Sequence, residues 1–573
     1  MVFDERVRSD LEAFKERVVE SWGDIGAVLD ALAARSKSER DGWPRSVGFV
    51  TFDFGIDGVS IEIAKYARCL ESVLGGDSGP ADIHLIAGDF TEKADTVVDE
   101  RWHRHDLPGA NGWAKWKDGR LYSGMFLEDM PEGSAVADEV ARGVWADALD
   151  LAERLVGVIL DARLGLLVPV NVNSNPGNPA TALAVVLASE VCGLPVLNSC
   201  HDFYWEGGSP PGDGVTGVRD HFFRNYGNRA FFDVLRRLFP WDGKAWLQVP
   251  INRLQTQRLS EEFGFSDERV ARVGTAIEDG FFERVDLEGR RHLRSVMQRI
   301  LAGGDEVLQT ESLARFMGRS AEWLESQRPV FIGAVEGAPV DLSEDAVVFL
   351  QPTRVVDRKR IEKDCELLGA LFEHEPFMSA WSERSRPRVI LHITGPVPVE
   401  HLETLQRVLL AFGSLLSGLP EDVRDRVFLA FSVGTEDHPV LADLGWSALE
   451  VADLYRLGDL VVFPSETEGR GLPIVESSAV GVPIICSEYE PRNVFERVIG
   501  MQLPEGEQIA YTLFPEDEFS ESCLTECTRL IFDDAFRAER VDVNREVVRA
   551  RYSMAALESR FCELVEMIFG ENK

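Results

Sequence analysis

Long apolar runs are missing from this chain. No stretch approaches the about 18 consecutive apolar residues of a membrane-spanning helix, so no integral membrane segment is expected. A secretory signal is missing as well. MVFDERVRSDLEAFKERVVE carries charge from its fourth residue and has no apolar centre, and a cytoplasmic location is the expectation. Positive charge is scarce, with 60 Lys and Arg against 97 Asp and Glu and a net charge of −37. No basic stripe offsets that excess, which argues against nucleic acid as a partner and disfavours an anionic membrane surface. Cysteines are few: Cys69, Cys192, Cys200, Cys365, Cys486, Cys523, Cys527 and Cys562, with no Cys-x-x-Cys pair. Spread over a chain read as cytoplasmic, they are reduced thiols. Cys523 and Cys527 can share a helix face, but no further ligands accompany them, and no metal is expected.

What is present is an ordinary soluble composition, 45% apolar and 27% charged, over 573 residues. That length exceeds one core and implies two to four domains. Residues 1–46 read as a helical extension, with Val7, Leu11, Phe14 and Val18, then Ile25, Val28, Leu29 and Leu32, at helical spacing. Trp43-Pro44 ends it. Strands are then expected at 46–52, 82–88, 165–172, 194–200 and 245–250, with helices at 59–73, 178–193 and 252–264. The charged helical segment 283–330 fits no sheet and reads as a connector or insertion. A second strand series follows at 346–351, 388–395, 426–434, 459–465 and 482–488. Two such series imply an α/β chain of two doubly wound, Rossmann-like domains with a cleft between the carboxyl ends of their strands. The expected boundaries are 47–335 for the first, 336–540 for the second and 541–573 for a closing helix; the stretch 520–570 suits a cap on either domain.

The informative passage is DLVVFPSETEGRGLPIVESSAVGVPIICSE, 459–488. It reads strand, loop, helix, strand. Pro473 suits a first helical turn and Gly481 the residue past the helix end. The loop brings Glu468, Gly469, Arg470 and Gly471 to a helix N-terminus, where amides and the helix dipole favour an anion such as a diphosphate. Glu468 and Glu476 are carboxylates set eight positions apart. Each can accept from a pair of neighbouring hydroxyls, and a nucleotide sugar offers two such pairs, on the hexose and on the ribose. The bland alternative, Glu476 as a helix-start charge and Glu468 solvated, accounts for one glutamate but not for the loop.

EGRGLPIVE (468–476) resembles the Glu-x7-Glu motif of retaining glycosyltransferases of the GT-B fold, notably the family-4 group that includes sucrose-phosphate synthases. The resemblance implies that Glu468 contacts the donor sugar, that Glu476 binds the ribose, and that the backbone from Gly469 to Leu472 meets sugar and phosphate. The aromatic usual between the glycines is replaced by Arg470. In VVFLQPTRVVDRKRIEKDCELLGAL (347–371) the placement of Arg354 and Lys359 resembles the family's Arg-x4-Lys element and implies contact with the donor diphosphate. Arg358 and Arg360 lie beside them and leave the register open to a slip. FDFGIDGVSIE (52–62) resembles the family's Gly-rich N-terminal loop through Gly55 and Gly58; Asp57 is either an acceptor ligand or a helix cap. NSCHDFYWEGG (198–208) places His201, Asp202, Tyr204 and Trp205 after a strand. His201 resembles the family histidine near the donor sugar; the others are candidate acceptor contacts or, for the aromatics, core.

The expectation is a hexosyltransferase that takes a UDP- or GDP-linked sugar as donor substrate, retains the anomeric configuration and needs no cofactor. Its acceptor is a small sugar, sugar phosphate or polyol acid. Two rivals stand beside it: a GT-B phosphorylase or epimerase, and a catalytically silent GT-B-like binding protein. Backbone groups around 431–437 are expected to meet the base.

Overall fold

Strands apolar at every position, rather than at every second one, belong to parallel sheets covered by helices on both faces. SVGFVT and AVVFLQ are of this kind in their central residues, and every residue of both, the terminal Ser46, Thr51 and Gln351 included, is buried. The computed structural model describes residues 2–35, 43–55, 57–76, 79–92, 94–112, 115, 119–212, 217, 219–305, 307–342, 346–385, 387–435, 438–446 and 448–570. They divide into two units, 1–276 with 554–573, and 277–553.

The first unit is built on six parallel strands: β1 (Ser46–Thr51), β2 (Asp82–Ala87), β3 (His103–Asp106), β4 (Leu166–Pro169), β5 (Val196–Cys200) and β6 (Trp246–Pro250). Their order is β3-β2-β1-β4-β5-β6, the doubly wound order whose direction reverses between the first and fourth strands. Alternate residues of β1 enter different cores. Val47 and Phe49 pack with the helices Gly58–Val73 and Met554–Phe569, while Val50 packs with Ala135–Asp161 and Pro179–Cys192. The N-terminal segment is two helices, Val2–Lys15 and Trp22–Ala33, the second opened by a capping box between Ser21 and Asp24. Both bury their apolar stripes in this unit's core. Val18 departs from the expected stripe: it lies between the helices and is 78% exposed, while Val19 is buried. The expected stop at Trp43-Pro44 follows 36–42, which lie outside the described residues.

In the second unit the strands are β7 (Leu308–Gln309), β8 (Glu311–Ser312), β9 (Val330–Gly333), β10 (Pro339–Val340), β11 (Ala346–Gln351), β12 (Arg388–Ile393), β13 (Val427–Phe431), β14 (Leu460–Phe463), β15 (Ile484–Cys486) and β16 (Thr512–Leu513). β7 and β10 form a small ribbon; the rest run β16-β15-β14-β11-β12-β13-β9-β8. From β13 to β16 this repeats the order of the first unit, with its reversal between β11 and β14, and β9 adds an antiparallel strand against β13.

Two expected boundaries are corrected. The division falls at 276/277 rather than 335/336. The segment 283–330 is part of the second unit, because Leu293, Val296 and Ile300 pack under β11, β12 and β13 and Phe316 and Trp323 pack on their other face. The closing stretch is not one cap. Helices Glu521–Phe532 and Asp534–Tyr552 belong to the second unit, and Met554–Phe569 returns to the first. There Phe561 meets the Tyr66 ring at 5.0 Å and Arg560 donates to the Arg272 carbonyl at 2.9 Å.

Candidate active site

Ligands of doubly wound sheets sit outside the carboxyl ends of the strands where the order reverses. In the second unit that point lies between β11 and β14. The loops leaving these strands are the two singled out in the sequence: 352–361, with its cations, and 464–471, with its glycines and Glu468.

The cation loop is tightly held. The buried Gln351 side chain accepts from the Thr353 amide at 3.3 Å and hydroxyl at 2.9 Å, and donates to Asp364 at 3.0 Å. The Val355 amide donates to the Pro396 carbonyl at 3.0 Å. A short turn, Asp357–Lys359, then stops at Arg360, whose φ of 51° is left-handed. This geometry sorts the four cations. Lys359 is buried, with Nζ on the Glu468 carboxylate and 5.3 Å from the Phe463 ring centroid. Arg358 donates to the Thr467 carbonyl at 2.6 Å and reaches Glu468 at 3.5 Å. Arg354 is exposed, with no ion-pair partner among the described residues. Arg360 turns away to Glu516 at 2.7 Å. Burial lowers the Lys359 pKa against the opposing pull of Glu468, and Arg358 and Arg354 lower it further.

The glycine loop is fixed to both neighbours. The Glu466 amide donates to the Arg358 carbonyl at 2.8 Å, and the Glu468 amide donates to the Glu490 carbonyl at 2.8 Å. Glu468 also accepts from the Ser465 hydroxyl. The helix Leu472–Val480 starts at Gly471, whose φ is 61°, and no side chain caps it. Pro473 and Gly481 stand at its two ends as expected. Glu476, one turn in, accepts from the buried Tyr455 hydroxyl at 2.6 Å. Burial, then Glu476, raises the Tyr455 pKa, so the phenol remains a donor. Gly469, Arg470, Gly471 and Leu472 thus lie together with Glu468, Glu476, Lys359, Arg358 and Arg354 at one end of the sheet. The expected pair Arg354 and Lys359 gains Arg358, whose contact with Glu468 depends on the turn and is invisible in spacing.

Chemically, the cluster offers several cations and the positive end of a helix dipole to an anion, and carboxylates to hydroxyls. Cations so placed stabilise charge developing on a leaving phosphate. Among the described residues no group of three His, Cys, Asp or Glu is arranged to hold a metal ion. Of the expected base-binding stretch 431–437, residues 436 and 437 lie outside the described residues.

The first unit places its candidates around β1, β4 and β5. Asp57 caps the helix Gly58–Val73, accepting from the amides of Val59 at 2.8 Å and Ser60 at 3.0 Å. The cap reading therefore holds for it. The Gly55 amide donates to the Ser60 hydroxyl at 3.1 Å, and a Cβ on Gly55 would meet Thr91 at 3.1 Å. A Cβ on Gly58 would meet nothing within 4 Å. His201 directly follows β5, buried, its ring edge-on to Tyr66 at 6.0 Å. Asp202 is half exposed and pairs with Arg219 at 3.2 Å. Asn171, with a φ of 60°, organises both: its side-chain oxygen accepts from the amides of His201 at 2.8 Å and Asp202 at 2.9 Å. Nothing in the sequence marked it, since it falls inside the strand expected at 165–172; the strand ends at Pro169 and leaves the asparagine, a residue tolerant of this conformation, beyond it. Tyr204 and Trp205 are corrected from candidate acceptor contacts to core. They are 3% and 5% exposed, with Trp205 stacked on Phe203 at 4.0 Å and Tyr204 packed against Phe223 and Phe232. A sugar would reach neither without opening that cluster.

Residues 444–496, which hold the glycine loop and its helix, match the family described as "Glycosyl transferases group 1". Mannosylglucosylglycerate synthase of Thermotoga maritima is 23% identical over 524 residues, 88% of this chain and 95% of its own. D-inositol 3-phosphate glycosyltransferase of Xylanimonas cellulosilytica is 35% identical over 89 residues, 16% of this chain and 21% of its own. Among solved structures, sucrose-phosphate synthase of Thermosynechococcus elongatus is similar at 12% identity and a TM-score of 0.46, over 92% of this chain and 99% of that one.

Proposed function

We propose that this chain, a glycosyltransferase by its similarities, works as a GT-B enzyme of the family-4 kind and moves a hexose, with retention, from a nucleoside-diphosphate sugar to a hydroxyl of a small soluble acceptor. One observation carries the donor assignment. Lys359 and Arg358 converge on Glu468 beside a helix start without a side-chain cap, at the reversal point of a doubly wound sheet. On this reading the diphosphate lies at the start of Leu472–Val480 with Arg354 and Lys359 on its oxygens. Glu468 takes hexose hydroxyls and Glu476, oriented by Tyr455, takes the ribose. As the glycosidic bond breaks, the cations absorb the charge on the leaving phosphate, and that phosphate accepts the acceptor's proton. No metal or organic cofactor enters.

The acceptor class is drawn from the relatives. A synthase named for mannosylglucosylglycerate aligns along 95% of its length, which favours a polyol acid or its glycoside as acceptor. The shorter match names an inositol phosphate, a polyol phosphate. Cytoplasmic solutes of this kind need no membrane anchor, and no helix among the described residues is long and apolar enough to cross a membrane.

The test is product analysis. Purified protein is incubated with UDP-glucose or GDP-mannose and with glycerate, glucosylglycerate, glucose or a hexose phosphate. Products are read by mass spectrometry and by the anomeric proton coupling. A glycoside with the donor's configuration is expected. An inverted product would refute retention. Absence of both transfer and donor hydrolysis across the panel would refute the donor assignment.

A further inference from the structure

A phenol lies beneath the glycine loop with nothing to bond to. Tyr489 follows β15 and is 1% exposed, its ring edge-on to Phe463 at 6.0 Å and to Phe495 at 5.2 Å. Its hydroxyl is buried and has no hydrogen-bond partner among the described residues. A phenylalanine would fill the same aromatic slot without leaving a polar atom unpaired, and the two neighbouring rings are phenylalanines. A buried donor without an acceptor costs stability, and such a group calls for a reason.

Its position supplies one. The hydroxyl oxygen lies 1.9 Å from the point that a Cβ on Gly471 would occupy. Gly471 is the first residue of the turn into Leu472–Val480, a helix of nine residues whose start has no side-chain cap. The hydroxyl thus occupies the space beside the helix start that a side chain on Gly471 would fill. A Cβ on Gly469 would meet nothing within 4 Å, so the loop is open to solvent on that side. Burial, followed by Cys486 and Glu468, raises the Tyr489 pKa, so the hydroxyl keeps its proton and serves as a donor.

We infer that the Tyr489 hydroxyl is a donor-substrate ligand: it gives a hydrogen bond to a phosphate oxygen of the nucleoside diphosphate held at the start of Leu472–Val480. The bond forms as the 465–471 loop adjusts around the ligand, and it relieves the unpaired state of the free protein. The inference rests on the donor-site reading above. It adds a binding group that lies outside the 468–476 motif.

A ligand role and a packing role give opposite signatures in Tyr489→Phe. Wild type and variant are titrated calorimetrically with UDP, GDP and ADP, and with uridine, guanosine and adenosine as phosphate-free probes; thermal melting of the free proteins runs alongside. For the nucleotide that wild type binds, the variant is expected to raise Kd about tenfold or more. Its melting temperature should be unchanged or higher, and nucleoside binding should be unaltered. A Kd within twofold of wild type would overturn the inference and leave the donor site standing. An equal loss for nucleotide and nucleoside would overturn the phosphate contact. If wild type itself binds none of the three nucleotides, the donor-site reading falls, and the inference with it, by a result that cannot be confused with the others.

Discussion

Lys359→Met separates the two roles that the structure gives this lysine. Methionine keeps an unbranched stem near Phe463 and removes the charge. Glu468, whose side chain is 9% exposed, is then left with the Ser465 hydroxyl and Arg358 at 3.5 Å. Breaking a buried ion pair from one side costs about 3–5 kcal/mol, and the retained arginine puts the expected loss of stability at about 3 kcal/mol, the lower end of that range. The same change removes a charged contact to the donor phosphate, typically about 1.5–3 kcal/mol, or about 10- to 150-fold in donor affinity. A second substitution distinguishes the effects. In Lys359→Met/Glu468→Gln the stranded carboxylate becomes neutral, so stability should recover while donor affinity stays low. Arg360→Ala is the control: its partner Glu516 is 66% exposed, such pairs contribute about 0–1 kcal/mol, and donor binding should not change. Urea denaturation reads stability and calorimetry reads affinity. Donor affinity in Lys359→Met within threefold of wild type, or an equal loss in Arg360→Ala, would refute the assignment of Lys359 to the phosphate.

Burial lowers the Lys359 pKa, so its charge is lost at a lower pH than an ordinary lysine's about 10.4; donor affinity should fall on the alkaline side below that value, and Lys359→Arg should move the fall upward in a pH series of titrations. Gly471→Ala combines a left-handed φ of 61° with a Cβ 1.9 Å from the Tyr489 oxygen; the conformation alone costs about 1–2 kcal/mol, and nucleotide binding should be lost, whereas Gly469→Ala should bind nearly as wild type. Asp459 lies between Arg290 and Arg294, both at 2.8 Å, and although burial pushes its carboxyl up, the two guanidiniums hold it well below the usual range. Asp459→Asn should therefore cost about 3–5 kcal/mol at pH 7 by urea denaturation, and the difference from wild type should shrink as pH falls below about 4, where the unfolded carboxylate is protonated. Trp205→Ala, at a core position, should cost about 3–5 kcal/mol of stability without raising the KM for donor or acceptor in a steady-state assay.

Much of this was legible because buried parallel strands advertise themselves. β1, β2, β4, β5 and β6, and β11 to β15, are short apolar runs between helical periods, and their alternation implied two doubly wound units. β3 was not legible: His103–Asp106 contains no apolar residue, as suits an edge strand that among the described residues pairs with β2 alone. The unit boundary was hidden for a different reason. Met554–Phe569 has the same amphipathic character as the helices before it, and only tertiary contacts such as the ring of Phe561 against Tyr66 show which core it joins. At the site, the glycine loop was read from its residues because turn, phosphate approach and helix start each require a residue type at a fixed place. Spacing alone leaves the register of Arg358 ambiguous, because a left-handed Arg360 decides which cations face Glu468. Tyr489 and Tyr455 gave no signal at all, being ordinary aromatics whose hydroxyls acquire meaning from tertiary neighbours 18 positions away in one case and 21 in the other, counted to Gly471 and Glu476.

The most direct test of the donor site is calorimetric titration of the protein with UDP, GDP and ADP, repeated on Glu476→Ala. The account predicts that one nucleotide binds and that its affinity falls in the variant, because the ribose loses its carboxylate acceptor. Failure of all three to bind, or equal affinity in the variant, would contradict it.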